Sequence, residues 1–163
     1  MTATRAQLIF RYRLSMAIFI SGLVVSGITA FPLVWELDLL CSWFGVNSDA
    51  EVESLSGMQH WLGFVRDGLH ENAHRYPFVA YGTDWLAFAH LTIAVFFVGP
   101  LVQPDSHRWT LWSGVIACLG VIPLAHIAGP LREIPLGWRW IDCSFGILGA
   151  VPLVYCLTIQ KRL

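Results

Sequence analysis

The sequence predicts an all-α integral membrane fold: a bundle of four spanning helices, with an amphipathic helix in the outer connection between the first two spans. Three observations predict it. The 163 residues are 56% apolar and 13% charged, with a mean hydropathy of +0.60, whereas a soluble domain is about 45–50% apolar and about 25% charged. The apolar excess is gathered into four stretches at about 14–35, 85–102, 109–129 and 141–159, each near the roughly 20 residues that cross a hydrocarbon core. Those stretches also lack the polar face that a soluble helix carries.

The first stretch runs from Leu14 to Trp35 without a charge. Arg5, Arg11 and Arg13 resemble the basic region of a signal peptide, and Gly27 to Ala30 a small-residue cleavage site. The apolar run is long for that purpose, and it is read as a span. Pro32, Pro100, Pro123, Pro130 and Pro152 fall in or beside the spans, where neighbouring helices can re-satisfy the backbone groups that proline frees. Gly22 with Ser26, Gly114 with Cys118, and Gly146 with Ala150 supply small residues at the spacing of close helix packing. Trp85, Trp109, Trp112, Trp138 and Trp140 stand near span ends, as an aromatic belt requires.

Cytoplasmic loops are enriched in Lys and Arg. With the N-terminus inside, six basic residues fall on the cytoplasmic side (Arg5, Arg11, Arg13, Arg108, Lys161, Arg162) and four on the outer side (Arg66, Arg75, Arg132, Arg139). Both termini are therefore expected in the cytoplasm. The net charge of −1 and the lack of a basic stripe argue against a nucleic-acid partner.

A chain of this length supports one domain, residues 1–163. The connection at about 36–83 is roughly fifty residues long, and so long a loop is seldom structureless unless functional or disordered. Leu37 to Phe44 reads as helix continuing past Pro32, and Asn47 to Ser56 as polar and exposed. From Gln59 to Tyr76, Leu62, Val65, Leu69 and Ala73 recur at helical spacing up to Pro77. With Trp61 and Phe64, that helix suits the outer membrane interface. Short turns join the second and third spans at Gln103 to Arg108, and the third and fourth around Leu131 to Trp140. Cys118 and Cys156 read as small apolar residues in spans, while Cys41 and Cys143 fall at the outer end, where a disulfide is conceivable.

Nearly all the ionisable residues near the spans gather at the outer end: Glu36, Asp38, Asp84, Arg132, Glu133, Arg139 and Asp142, with His90 and His126 one to two turns deeper. Ionisable groups at membrane depth are costly and face the bundle or a wet cavity. Ala87 and Ala94 share the helical face of His90, which suits an inward side chain. His126 stands three residues after Pro123, where a freed carbonyl could take its proton. The plain alternative is that carboxylates and arginines pair and hold the helix ends in register.

Three chemistries fit this end. His70-Glu71-Asn72-Ala73-His74 matches H-E-x-x-H: two histidines one turn apart can share zinc, with Glu71 as general base for bound water. The third ligand would come from Asp84, His90, Glu133 or Asp142. Against this reading stand the brevity of the pattern and the absence of any strand to hold an extended peptide. Second, His90 and His126 could ligate a b-type haem between helices, although membrane cytochromes normally carry more than one such pair. Third, a cavity with an aromatic wall, Asp84, His90, His126, Arg132, Arg139 and Asp142 could bind a quinone, a lipid headgroup or a partner subunit without metal. The residues favour this last reading, with Asp84 paired to Arg132 or Arg139 and His90 handling a proton or ligating.

The stretch YPFVAYGTDWLAFAH, from Tyr76 to His90, resembles the hallmark segment of a group of small bacterial inner-membrane proteins with no established activity. IAGPLR from Ile127 to Arg132, and WRWIDCSFG from Trp138 to Gly146, resemble its later segments. The resemblance covers most of the chain from Tyr76 onward and the first span more loosely. It implies four spans and a bacterial inner membrane, carries no mechanism, and centres on Asp84, His90, Arg132, Arg139 and Asp142. The segments that carry it do not include His70 and His74.

Overall fold

A computed structural model describes residues 4–47 and 51–163. Among them, all regular structure is helical. Seven α-helices follow in order: α1 (Arg5–Thr29), α2 (Leu33–Trp43), α3 (Gly57–Arg75), α4 (Tyr81–Phe96), α5 (Val98–Val102), α6 (Arg108–Leu131) and α7 (Leu136–Gln160), with 3₁₀ turns at Val52–Ser54 and Pro77–Ala80. Four segments are long and apolar enough to cross a membrane: Arg5–Thr29, Pro77–Val102, Arg108–Leu131 and Leu136–Gln160. Their lateral surfaces stay apolar and uncovered, as Phe10, Ile18, Phe96, Ile127 and Phe145 illustrate. A fold surrounded by hydrocarbon tolerates that exposure; one surrounded by water would not.

Three spans differ from the hydropathy reading. The first runs Arg5–Thr29 rather than about 14–35, because its helix takes in Arg5, Arg11 and Arg13 ahead of the apolar run and ends before Pro32. The second spanning segment starts at Pro77, whose missing N–H costs nothing at a helix start, so Asp84 stands in the first turn of α4. The fourth starts at Leu136 behind Pro135, so Trp138, Arg139 and Trp140 are helical rather than part of the turn. Hydropathy marks where a chain is apolar, whereas proline and cap geometry mark where its helix begins.

The chain divides into two compact units, Met1–Val24 with Thr92–Leu163, and Val25–Leu91. In the first, the buried core joins Leu8, Tyr12, Met16 and Phe19 of α1 to Phe97, to Leu111 and Val115 of α6, and to Leu153, Cys156 and Leu157 of α7. Phe19 meets Phe97 edge-on at 4.8 Å. Glycine sets the closest approaches. A Cβ on Gly114 would stand 2.7 Å from both Leu153 Cδ1 and Phe97 Cζ, and one on Gly146 would press on the Cys118 carbonyl. These are two of the three small-residue pairs read from the sequence; Gly22 of the third has nothing within 4 Å. At the other end of α7, the Gln160 side-chain amide donates to Pro104 O (3.0 Å) and Ser106 O (2.8 Å) in the α5–α6 turn. Arg5 pairs with Asp105 of that turn at 3.0 Å.

In the second unit, α1 breaks before Pro32 and the chain resumes as α2, which packs on α3. Of the expected face of α3 (Leu62, Val65, Leu69, Ala73), Leu62 is buried and Val65 and Leu69 are half-buried, and the packed side extends to Gly63 and Arg66. Leu62, Gly63 and Arg66 are its buried residues, and Ala73 is exposed. Gly63 admits Val52, Leu55 and Val46, and Arg66 Nη1 donates to Asn47 O at 2.9 Å while Nε and Nη2 hold Asp67. The connection before α3 thus draws a cation into the packed face. Part of the expected exposed segment from Asn47 to Ser56, residues 48–50, lies outside the described residues. All four cysteines are free thiols.

Candidate functional site

The turn between α6 and α7 is built by the backbone. The Ile134 N–H donates to Gly129 O (3.0 Å) and the Glu133 N–H to Pro130 O (3.2 Å), with Glu133 at φ +57°. This is the Schellman pattern, with glutamate where glycine is usual. It ends α6 at Leu131, with Arg132 as its cap, and lets α7 begin at Leu136 behind Pro135.

That tight turn brings together a cavity of about 220 Å³, lined by apolar side chains of α6 (Val121, Leu124, Ala125, Ala128), by Ile134, and by Arg132, Arg139 and Asp142. Arg139 and Asp142 are three apart on α7 and share a face. The Arg139 stem lies across Gly129: a Cβ there would stand 2.9 Å from Arg139 Cγ and closer still to Cδ. Arg139 Nε is buried and has no hydrogen-bond partner. Among the described residues, Arg132, Arg139 and Asp142 make no ion pair. A buried guanidinium donor normally finds an acceptor, and Arg139 Nε is an exception.

His126 stands next to this cavity. Its Nδ1 lies 3.0 Å from Ile122 O and 3.8 Å from Cys143 Sγ, and its ring meets Trp140 edge-on at 5.1 Å. The acceptor is the carbonyl one turn back, not that of Leu119, which Pro123 frees. A carbonyl offers no proton, so Nδ1 carries it and a neutral ring presents its lone pair on Nε2. His90, half-buried on α4 between buried Ala87 and Ala94, makes the same contact to Leu86 O at 2.8 Å. This is the tautomer that histidine ligands adopt. His90 and Asp84 belong to the Val25–Leu91 unit, whereas His126, Arg132, Arg139 and Asp142 belong to the other.

The H-E-x-x-H segment occupies the last turn and a half of α3. His70 Nε2 is engaged by Asp38 Oδ1 at 2.8 Å, and Glu71 pairs with Arg75 at 3.4 Å along the helix. Among the described residues, no three His, Cys, Asp or Glu side chains come together to hold a metal ion. His70 with Asp38 makes a pair that ties α3 to α2, without a third ligand.

Sequence reasoning missed Gly129 and Arg66. A glycine four residues after Ala125 and three before Arg132 carries no chemical signal, and Arg66 reads as the polar side of an amphipathic helix. Compared with known proteins, the chain matches no family model, no curated protein and no solved structure.

Proposed function

We propose that this chain is a multi-pass protein of a bacterial inner membrane, with both termini cytoplasmic, that acts as a binding protein or a subunit of a membrane complex. On this reading the four spans form a bundle and α3 lies along the outer interface, its exposed Phe64 stacked on Trp61 at 6.0 Å. The α6–α7 turn then faces the periplasm. The observation that carries the reading is the apolar cavity holding Arg132, Arg139 and Asp142 without an ion pair and with Arg139 Nε unsatisfied. A site with apolar walls and a few convergent polar groups is the usual form of a ligand pocket.

The test is native mass spectrometry of the protein extracted in mild detergent. A bound amphiphile or a stoichiometric partner, lost on Arg139→Gln, is the expected result. A bare chain with neither, in every detergent that keeps it folded, would overturn the reading.

A further inference from the structure

The end of the first unit at which α7 finishes gathers cations and leaves most of them unpaired. Gln160 and Arg5 both fasten on the α5–α6 turn, so the start of α1, that turn and the residues after α7 stand together. Arg5 pairs with Asp105 at 3.0 Å, and Asp105 is the one acidic side chain at this end. The other acids of the unit, Glu133 and Asp142, belong to the α6–α7 turn. Arg11, Arg13, Arg108, Lys161 and Arg162 are exposed and, among the described residues, make no ion pair.

Two of these cations lie within a helical segment rather than beyond its end. The Cys156 thiol donates to Tyr12 O (3.5 Å) and the Ser15 hydroxyl to Pro152 O (3.2 Å), which sets α1 antiparallel to α7 with Tyr12 level with Cys156. Arg11 and Arg13 flank Tyr12, and α7 runs on from Cys156 to Gln160, a further rise of about 6 Å at 1.5 Å per residue. In a span, a long cationic side chain at that depth extends along the helix toward the headgroups. Arg13 shows this reach: its Nη2 donates to Val102 O at 3.3 Å, at the last residue of α5. That contact uses one of the several N–H donors that a guanidinium carries.

Apolar side chains stand among the cations. Phe10 and Leu14 of α1, Val102 of α5 and Trp109 beside Arg108 are all exposed. A soluble anion would meet the cations and leave those side chains in water, whereas a lipid surface covers both. Among lipids, charge balance makes the selection. A zwitterionic headgroup brings an ammonium among five unpaired cations while Asp105 is engaged by Arg5, and like charges at short range repel. A headgroup that carries only its phosphate charge meets attraction alone.

Resting on the reading of the apolar segments as spans, we infer that this end of the protein is a docking surface for anionic phospholipid. Arg11 and Arg13 receive the phosphate oxygens, which their planar donors suit, and Arg108, Lys161 and Arg162 add attraction from beyond the helix ends. The experiment titrates the delipidated protein in neutral detergent with phosphatidylglycerol or phosphatidylcholine of identical chains and reads retention by native mass spectrometry. A lysine or arginine near an anionic surface contributes about fivefold in affinity. Phosphatidylglycerol is therefore expected to be retained about tenfold better, or more, at low ionic strength, and the preference should shrink as salt screens the charges. Arg11→Gln combined with Arg13→Gln should lower the preference about fivefold or more. Arg11→Lys with Arg13→Lys, which keeps both charges, should preserve it, as should Arg75→Gln in the other unit.

Equal retention of the two lipids would overturn the inference and leave the spans standing. So would a preference for phosphatidylglycerol that survives the double glutamine variant, since the charge would then be read elsewhere. Displacement of bound lipid by inorganic phosphate, at an ionic strength where chloride displaces none, would reassign the cations to a soluble anion and also overturn it. Retention of neither lipid by the folded protein would overturn the inference together with the membrane reading on which it rests.

Discussion

Arg139 lies down across Gly129. The glycine leaves a bare stretch of α6, and the arginine stem occupies it, with Cγ 2.9 Å from where a Cβ would be. In an exposed helix, Gly→Ala gains about 1 kcal/mol. Here the added methyl must displace the stem, and overpacking costs about 1–3 kcal/mol. Gly129→Ala should therefore destabilise the wild-type chain and stabilise the Arg139→Ala chain. A double-mutant cycle by thermal denaturation in detergent should read a coupling of about 1 kcal/mol or more; additivity would show that the two residues do not share the space.

Glu133 holds the turn at φ +57°. Left-handed backbone costs a non-glycine residue about 1–2 kcal/mol and is worst for β-branched side chains. Glu133→Gly should match or exceed wild-type thermal stability, and Glu133→Val should lower it by about 1–2 kcal/mol.

Arg66 is 7% exposed, and its donors reach both Asn47 O and Asp67. Hydrogen bonds to charged groups contribute about 1.5–3 kcal/mol. Arg66→Leu should destabilise the α2–α3 unit by about that amount. Arg66→Lys should recover little, since a single ammonium cannot serve the two directions. Limited proteolysis between α2 and α3 would report the loss.

Cys41 is buried against α3 and donates to Leu62 O at 3.6 Å. Burial pushes its thiol above the usual range, and the nearby Arg66 guanidinium pulls partly the other way. A raised value means less thiolate at a given pH, so alkylation of Cys41 should be slow at neutral pH and speed up as pH rises past the ordinary thiol range. Arg66→Leu, in the fraction that remains folded, removes the stabilising charge and should slow the reaction further. A rate equal to that of an unfolded peptide thiol would show the site to be open.

The spans were legible because hydrocarbon demands an apolar run of known length, and no tertiary contact is needed to read it. Their ends were not. Leu136 starts α7 because Glu133 accepts an unfavourable φ and Pro135 follows it; neither residue looks like a helix signal within a short polar turn. The trio Arg132, Arg139 and Asp142 at the α6–α7 turn was readable as a group of charges beside two apolar stretches. The role of Gly129 was not, because it depends on where another helix lays a side chain. His70-Glu71-Asn72-Ala73-His74 matched a motif by spacing alone, and what the motif lacks, a third ligand brought from elsewhere in the chain, is a tertiary property. The burial of Arg66 on α3 was missed for a related reason. An arginine enters a packed face only when a distant carbonyl receives it, and the Asn47 carbonyl is invisible to periodicity.

The Gln160 amide donates to the carbonyls of Pro104 and Ser106. Those acceptors lie in a turn that leaves the ribosome more than fifty residues before Gln160 does. Arg5 is made before either and can meet Asp105 as soon as this turn emerges, whereas the Gln160 bonds must wait for α7, so the turn is fastened in two steps as the chain is made.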